Sequence, residues 1–322
     1  MTHRRKIRIW LYFVCFMVFA MAVIGAVTRL TESGLSLVEW RPITGWLPPL
    51  SEQEWQRVYA LYRQSPEFAQ KHYWMEIADF KQIFFWEWFH RLWGRLIGLC
   101  FALPLVWFAF RKQIPYGFGW KFFGLFLLGG AQGVLGWWMV KSGLVDRPEV
   151  SHFRLAAHLS LALILFSLLW WTALDLGSSQ KTIVKCSLLL HGWGALLLLA
   201  ITIIWGAFTA GLDAGLIYNT WPLIGESLLP PEYFNISSII EQQAWIQFTH
   251  RWLAILAGLV LVALAIRTSD FKLGIMVFIQ IGLGISTLLT QISIPLATLH
   301  QAGAMILLAL LLRNLHNKKM LS

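Results

Sequence analysis

The sequence predicts an all-α integral membrane protein, with eight transmembrane helices arranged as two pseudo-twofold-related four-helix bundles. Three observations predict this fold: an apolar composition, eight long apolar runs, and residues that recur in both halves of the chain. Of the 322 residues, 57% are hydrophobic and 13% are charged, and the mean hydropathy is +0.62. Because soluble proteins carry about 25% charged residues, this composition excludes a soluble enzyme.

The eight apolar runs are close to the length of about 20 residues that a helix needs to cross a bilayer. They cover residues 9–28, 84–109, 117–140, 155–174, 184–208, 245–266, 272–291 and 297–313. Eight crossings place both termini on one side. The first run follows basic residues, as a signal peptide would, but it is too long and has no small-residue cleavage site. We therefore expect it to be a membrane helix.

The net charge of +10 divides unevenly between the two sides of the predicted bundle. The side with the termini carries 14 Lys and Arg residues against two acidic residues, and the opposite side carries 12 against 14. The positive-inside rule then places both termini in the cytoplasm. This distribution reflects membrane orientation and excludes a nucleic-acid partner. A cysteine at Ser65 is expected to react with an impermeant thiol reagent, and one at Ser178 is not.

Two long segments, 29–83 and 209–244, lie on the opposite, outer side. In the first, Ser51 and Glu54 form a capping-box pattern. The apolar stripe that follows consists of Trp55, Val58, Tyr59 and Tyr62. The pattern predicts a short amphipathic helix that lies on the outer leaflet.

Matching residues recur in both halves at offsets that shorten along the chain. Gly25 matches Gly206 at an offset of 181, His90 matches His250 at 160, Gln132 matches Gln280 and Gly136 matches Gly284 at 148, and His158 matches His300 at 142. We therefore divide the chain into a first half, 1–176, and a second half, 177–322. Each half contains four crossings, so the pseudo-twofold axis is expected to run along the membrane normal.

Four of the nine histidines occupy matching places near the outer ends of the even-numbered helices: His90, His158, His250 and His300. Ionisable residues at membrane depth are functional by default. Solvated surface positions are expected for His3, His72 and His316. His152 precedes the fourth helix and could touch the polar edge of a ligand, but it lies six residues before His158 and on a different helix face. His191 is expected in a packing or hydrogen-bonding role.

Haem suits these histidines better than other metal groups do. A structural zinc site would need four ligands, and no thiolates complete such a set. A di-iron site is the main rival, since Glu87 and His90 form an E-x-x-H pattern, but the residues three before the other histidines are Leu155, Gln247 and Ala297. Haem needs two axial imidazoles with apolar walls.

Two haem-sized pockets are therefore expected, one at His90 and His158 and one at His250 and His300. Candidate cations for the haem propionates are Arg91, Arg251 and Arg154, although each could also be a snorkelling side chain. Glu87 of the first half is replaced by Gln247 in the second. Only a carboxylate can accept a proton or stabilise a developing cation. The first pocket is thus predicted to be reactive and the second to hold a resident redox haem.

At these residues the sequence resembles the haem A synthase family, in its proteobacterial and mitochondrial branch. The resemblance covers the stretches around Gly25, Glu87 to Arg91, Arg154 to His158, His250 and His300. It implies oxidation of a methyl group of haem O to a formyl group by successive hydroxylations, to make haem A for terminal cytochrome oxidase. It also implies that His250 and His300 are the axial ligands of a haem b cofactor, and that Glu87, His90 and His158 serve the substrate haem O.

The resemblance implies further partners and a location. The partners are the farnesyltransferase that makes haem O, cytochrome oxidase subunit I or its assembly factors, and the lipid bilayer; a homo-oligomer is left open. No transit peptide is evident, so a bacterial inner membrane is expected. Two other classes stay open: a bis-histidine electron carrier of the cytochrome b type, which would stack two haems on histidines of one helix, and a transporter built from parallel repeats.

Overall fold

The computed structural model describes residues 3–41, 44–144, 149–177 and 181–320. The α-helices of these residues are α1 (His3–Leu30), α2 (Glu52–Tyr62), α3 (Pro66–Gln70), α4 (Ile77–Phe110), α5 (Gly119–Lys141), α6 (His152–Asp175), α7 (Cys186–Gly211), α8 (Ser238–Glu241), α9 (Gln243–Thr268), α10 (Phe271–Leu289) and α11 (Ile294–His316). Two three-residue strands, β1 (Thr182–Val184) and β2 (Lys318–Met320), pair in parallel.

Eight of these helices are long and apolar enough to cross a membrane: α1, α4, α5, α6, α7, α9, α10 and α11. Each contains or closely overlaps one of the eight predicted runs, so the prediction is confirmed. The protein is a multi-pass membrane protein. Several helices extend into polar sequence, as α4 does by beginning at Ile77. The Asp79 carboxylate accepts a hydrogen bond from the Glu76 N–H at 3.1 Å, which satisfies one of the free amides at that helix start.

The helices of the two halves make corresponding contacts. In the first half, α1 packs against α4 and α6, and α5 packs against α6. In the second half, α7 packs against α9 and α11, and α10 packs against α11. Between the halves, α6 contacts α7 and α11 contacts α1, which are equivalent pairs under a twofold rotation. The fold is therefore two pseudo-twofold-related four-helix bundles.

The bundle has two ends, which we call the loop side and the terminal side. The loop side carries residues 31–41, 44–76 and 212–242, and the terminal side carries the start of α1 and the end of α11. The largest buried apolar cluster lies toward the terminal side and includes Leu11 and Leu311, both fully buried. The loop-side half of the bundle is left for polar groups.

The amphipathic helix predicted on the loop side is α2, but its apolar stripe does not lie on a leaflet. Tyr62 is fully buried and stacks on Phe80 of α4 with ring centroids 5.1 Å apart. Trp55 meets Phe84 edge-on at 5.0 Å. The aromatic start of α4 thus covers the stripe, a partner 18 or more residues away that helical periodicity alone does not reveal.

Only half of the predicted capping box forms at α2. The Ser51 hydroxyl accepts a hydrogen bond from the Glu54 N–H at 3.2 Å. The Glu54 carboxylate turns to the Arg57 guanidinium instead, with the closest contact at 2.8 Å. A charged partner one turn away binds the carboxylate more strongly than a backbone amide does.

The prediction of a solvated surface position for His316 is wrong. His316 is 3% exposed, and its Nε2 lies 3.0 Å from the Asp175 carboxylate at the end of α6. Asp175 also accepts a hydrogen bond from Lys121 of α5 at 2.9 Å. The three side chains join α5, α6 and α11 at the terminal side.

Candidate functional site

Each of the four matched histidines packs against a glycine of a neighbouring membrane helix. The pairs are His90 with Gly25, His158 with Gly136, His250 with Gly206, and His300 with Gly284. A Cβ placed on the glycine would lie 3.4, 3.0, 3.0 and 2.8 Å, respectively, from the nearest ring atom. Any larger residue would push at least three of these rings away, so the glycines let the imidazoles lie against the helix backbone.

The structure brings two of these histidines near each other in each half, and their joint binding of a haem stays a prediction. His158 lies close enough to His90 to act on it electrostatically, and His300 is similarly close to His250. All four residues are only half-buried although none lies at a helix end. Each of the four side chains is therefore partly accessible within its helix.

Side chains and carbonyls of neighbouring helices orient three of the rings. His250 Nδ1 donates to the Thr202 carbonyl oxygen at 3.1 Å, which leaves Nε2 free as a metal ligand. Gln280 donates from Nε2 to the carbonyl oxygen of His300 at 2.9 Å, and its Nε2 lies 3.1 Å from His300 Nδ1. Gln132 makes the equivalent contacts with His158.

From the sequence, Gln132 and Gln280 are identified only as matching residues of the repeat. The signal of their role was present, since a polar residue deep in an apolar run recurs at the same place in both halves. Among the described residues, neither Gln132 Oε1 nor Gln280 Oε1 has a hydrogen-bond partner, although both oxygens are buried. Each site thus retains one unsatisfied acceptor next to a histidine.

Glu87 and Arg91 bind the loop segment 33–40 to α4. Glu87 is 2% exposed; its Oε2 accepts hydrogen bonds from the Ser36 hydroxyl at 2.8 Å and the Leu37 N–H at 2.6 Å. Its Oε1 accepts one from Arg91 at 2.5 Å. Arg91 donates further to the carbonyl oxygens of Leu37 and Glu39. Since a carboxylate offers about four acceptor positions, Glu87 retains one, on Oε1.

Gln247 and Arg251 do the same in the second half. Arg251 donates to the carbonyl oxygens of Tyr218, Thr220 and Leu223 at 2.7–3.0 Å, and Gln247 donates to Tyr218 as well. Gln247 Oε1 accepts from Arg251 at 3.2 Å. The pattern is therefore a matched loop clamp, with a charged acceptor only in the first half.

These contacts give the predicted propionate partners another task. The terminal nitrogens of both Arg91 and Arg251 bind loop carbonyls. Of the nitrogens of these two described arginines, only Arg251 Nε is buried without a hydrogen-bond partner. Arg154 donates to the Trp138 carbonyl oxygen at 2.8 Å and lies 4.2 Å from the centre of that ring. A role in haem binding for Arg91 and Arg251 stays a prediction.

A cavity of about 200 Å³ lies beside the first-half clamp. Its walls come from the loop segment and from the loop-side ends of α4 and α5. They include Leu37, Val38, Trp40, Arg91, Trp137 and Lys141. The walls are mainly apolar and carry two cations, Arg91 and Lys141.

Other histidines hydrogen-bond to groups of the protein itself. His152 Nε2 donates to the Ile240 carbonyl oxygen at 3.1 Å, and His191 Nε2 donates to that of Val260 at 3.0 Å, as expected for a hydrogen-bonding role of His191.

The prediction of a surface position for His72 is wrong. His72 is 6% exposed, its Nδ1 lies 2.6 Å from the Tyr62 hydroxyl, and its Nε2 lies 3.2 Å from the Glu32 carboxylate. Tyr62 also donates to Glu67, at 2.9 Å.

The sequence profile described as cytochrome oxidase assembly protein matches residues 8–312. The chain belongs to this family. The haem A synthase of Rhodospirillum centenum is 47% identical over 97% of this chain and 88% of its own length. Those of Paramagnetospirillum magneticum and Caulobacter vibrioides are 42% and 44% identical, over 97% and 95% of this chain and 94% of their own lengths in both cases.

The residues present fit the haem that the names of the relatives imply. Two imidazoles per half, an apolar surrounding and an available Nε2 on His250 match what a bis-histidine haem requires. No cluster of three or more His, Cys, Asp or Glu residues that could hold a bare metal ion occurs among the described residues. The donor set therefore fits a macrocycle that supplies its own four nitrogens.

The Glu67, Tyr62 and His72 cluster predicts a pH-dependent loop side. Burial raises the pKa of the Glu67 carboxyl to about 7, with nearby Glu87 and Glu32 adding to the effect. A pKa raised on folding contributes stability at low pH, which is lost as the pH rises through about 7. We expect the segment around residues 62–72 to open more easily, by about 1–3 kcal/mol, at about pH 8.5 than at about pH 5.

Hydrogen exchange of the 62–72 amides, corrected for the intrinsic effect of pH, measures this change. The Glu67→Gln variant mimics the protonated acid and is the control, because its protection should not depend on pH over this range. Equal protection of the unmodified protein at both pH values would contradict the prediction.

Proposed function

We propose that this chain is a haem A synthase, a membrane oxidoreductase that converts the methyl group of haem O to the formyl group of haem A for cytochrome oxidase. The observation that carries the proposal is the fourfold histidine–glycine arrangement, with a carboxylate at only one of the two sites. Family membership and the names of the relatives support it.

We assign the two halves different tasks. His250 and His300 would hold a resident haem b, which would supply one-electron transfer, and His90 and His158 would hold the substrate haem O. The support is the contrast between Gln247 and Glu87. An amide in the second half is adequate for holding a loop, whereas a reaction that releases protons and develops positive charge is served by the carboxylate.

The residues of the first half then act on the substrate in three ways. His90 and His158 orient the porphyrin, and Gln132 fixes the His158 ring. Arg91 and Glu87 hold the segment 33–40 over the site and restrict the entry of water. The free acceptor position on Glu87 Oε1 is available for a proton released during the oxidation or for stabilising a developing cation.

We further propose that the loop side faces the periplasm and that both termini lie in the cytoplasm of a bacterial inner membrane. The charge asymmetry supports this orientation. Haem O would arrive from the farnesyltransferase that makes it, and haem A would pass to cytochrome oxidase subunit I or its assembly factors.

The assignment of the resident haem is tested by single substitutions. His250→Ala or His300→Ala should abolish the low-spin bis-histidine haem spectrum of the purified protein, because each removes one axial ligand. His90→Ala, the matched control, should largely retain it. Equal loss in all of these variants would refute specialised halves.

The role of Glu87 is tested by Glu87→Gln, which copies the residue of the second half. We expect a normal resident haem spectrum but conversion of haem O reduced by about 10² to 10⁴-fold, the usual value of general-base catalysis. Haem O or its hydroxymethyl form should accumulate, as measured by extraction and mass analysis.

Hydrogen exchange of residues 33–40 separates the chemical role from loop positioning. A fall in conversion with unchanged protection supports proton acceptance or charge stabilisation. A fall accompanied by increased exchange indicates that Glu87 acts through the loop, and near-normal haem A production would refute the assignment.

The orientation is tested by cysteine labelling in intact cells. Ser65, a natural first choice, is buried and caps α3, and Ser178 lies outside the described residues. Tyr73 is 72% exposed on the loop side and Tyr116 is fully exposed on the terminal side. An impermeant thiol reagent should label Tyr73→Cys, but should label Tyr116→Cys and the native exposed Cys186 only after permeabilisation. The opposite pattern would reverse the topology.

A further inference from the structure

The gap between α4 and α5 differs from the equivalent gap between α9 and α10. In the second half, α9 and α10 pack along more of their length than α4 and α5 do. Gly258 of α9 is buried, and a Cβ placed there would lie 3.1 Å from Ile281 and 3.9 Å from Val277 of α10. Two branched side chains of α10 therefore lie against this glycine of α9, with Val277 buried and Ile281 37% exposed.

In the first half, both of these side chains are missing. Gly98 matches Gly258 at the offset of 160, and Gly129 and Gly133 match Val277 and Ile281 at the offset of 148. All three first-half glycines are exposed, and a Cβ placed on any of them would meet no atom of another described residue within 4 Å. Val277, by contrast, is 1% exposed.

Close helix packing does not account for these glycines. A glycine inside a helix costs about 1 kcal/mol relative to alanine, and in membrane proteins that cost is usually offset by a helix that approaches closely. Here no described helix approaches them. The glycines therefore leave open a groove that faces the lipid.

The groove leads toward the cavity described above. Trp137 and Lys141, on the same helix as Gly133, line that cavity together with Arg91 of α4. Arg91 binds Glu87, which lies three residues before His90. A molecule in the groove would thus have its apolar part in the bilayer and its polar end beside Arg91 and Lys141, with Arg91 on the helix that carries His90.

We propose that the α4–α5 gap is a lateral opening that admits a porphyrin with a long isoprenoid chain from the bilayer, and that the chain lies along Gly98, Gly129 and Gly133. This inference rests on the proposed function, since haem O is such a porphyrin. A branched apolar chain gains little by leaving lipid, so the groove selects it by shape. The second half needs no opening because its haem stays bound.

The test transfers the closing residues from the second half to the first. In the Gly129→Val/Gly133→Ile double variant, affinity for haem O and its conversion should fall by about tenfold or more, because the added side chains must be displaced. The second-half haem spectrum should be unchanged and reports correct folding. Single Gly129→Val serves if the double variant does not fold.

Gly130→Val is the matched control. It adds the same side chain to the same helix one residue away, at a position whose counterpart, Phe278, is 66% exposed. It should bind and convert haem O normally. Equal activity of the double variant and the wild type would overturn the opening while leaving the proposed function intact.

A photoreactive farnesyl derivative tests the groove without the reaction. Crosslinking should fall on α4 and α5 of the wild type and be lost in the double variant. Crosslinking confined to other helices would overturn the proposal. If this labelling holds but wild-type protein fails to oxidise haem O, the groove stands and the proposed function fails.

Discussion

The close contact between an imidazole and the backbone of a neighbouring helix is the constraint on which the rest of the structure depends. At His158, His250 and His300 it requires a glycine on the facing helix, since a Cβ would come within 3.0 Å of the ring. The histidines lie on α4, α6, α9 and α11, and the glycines that they contact lie on α1, α5, α7 and α10. These contacts therefore fix which helices pack together within each half. The same contact made four times sets all four imidazoles at comparable depth.

The loop clamps extend this arrangement out of the membrane. One residue after each of His90 and His250, an arginine side chain extends from the helix and donates hydrogen bonds to carbonyl oxygens of the long loops. Charged hydrogen bonds to carbonyls are stronger than neutral ones, and at a membrane edge few water molecules compete for them. The loop segment beside each site is thus hydrogen-bonded to the same helix that carries a histidine of that site.

The membrane part of the fold could be predicted from sequence because the bilayer imposes long apolar runs and satisfies no backbone polar groups. The four histidines could be found because they recur at consistent offsets. What failed depends on contacts between distant residues. Neither the burial of His72 by Tyr62 and Glu32 nor that of His316 by Asp175 is visible in local composition.

The prediction that α2 lies on the outer leaflet failed for the same reason. Its apolar stripe packs against Phe80 and Phe84, which are too distant in sequence for helical periodicity to reveal the contact. The arginines show a different limit. Sequence identified Arg91 and Arg251 as important because they adjoin the histidines, but the choice between a ligand carboxylate and a loop carbonyl depends on how the loop folds. The sequence predicts a chemical difference between Glu87 and Gln247, four residues before these arginines. Their shared place in the loop clamps is visible only in the structure.

Duplication of one scaffold explains how a small number of substitutions could separate the two tasks that we propose for the halves. The histidines, glycines and clamp arginines that build a site are kept in both halves, so either half can be tuned without loss of its framework. Two of the differences lie where chemistry and access would be decided: a carboxylate against an amide at positions 87 and 247, and glycines against valine and isoleucine where α5 corresponds to α10. A permanent cofactor is held more firmly behind a packed interface, whereas a substrate that must enter and leave within the bilayer needs one that is not packed. The half with the carboxylate is also the half with the open interface, and a catalytic site served from the lipid would require both features together.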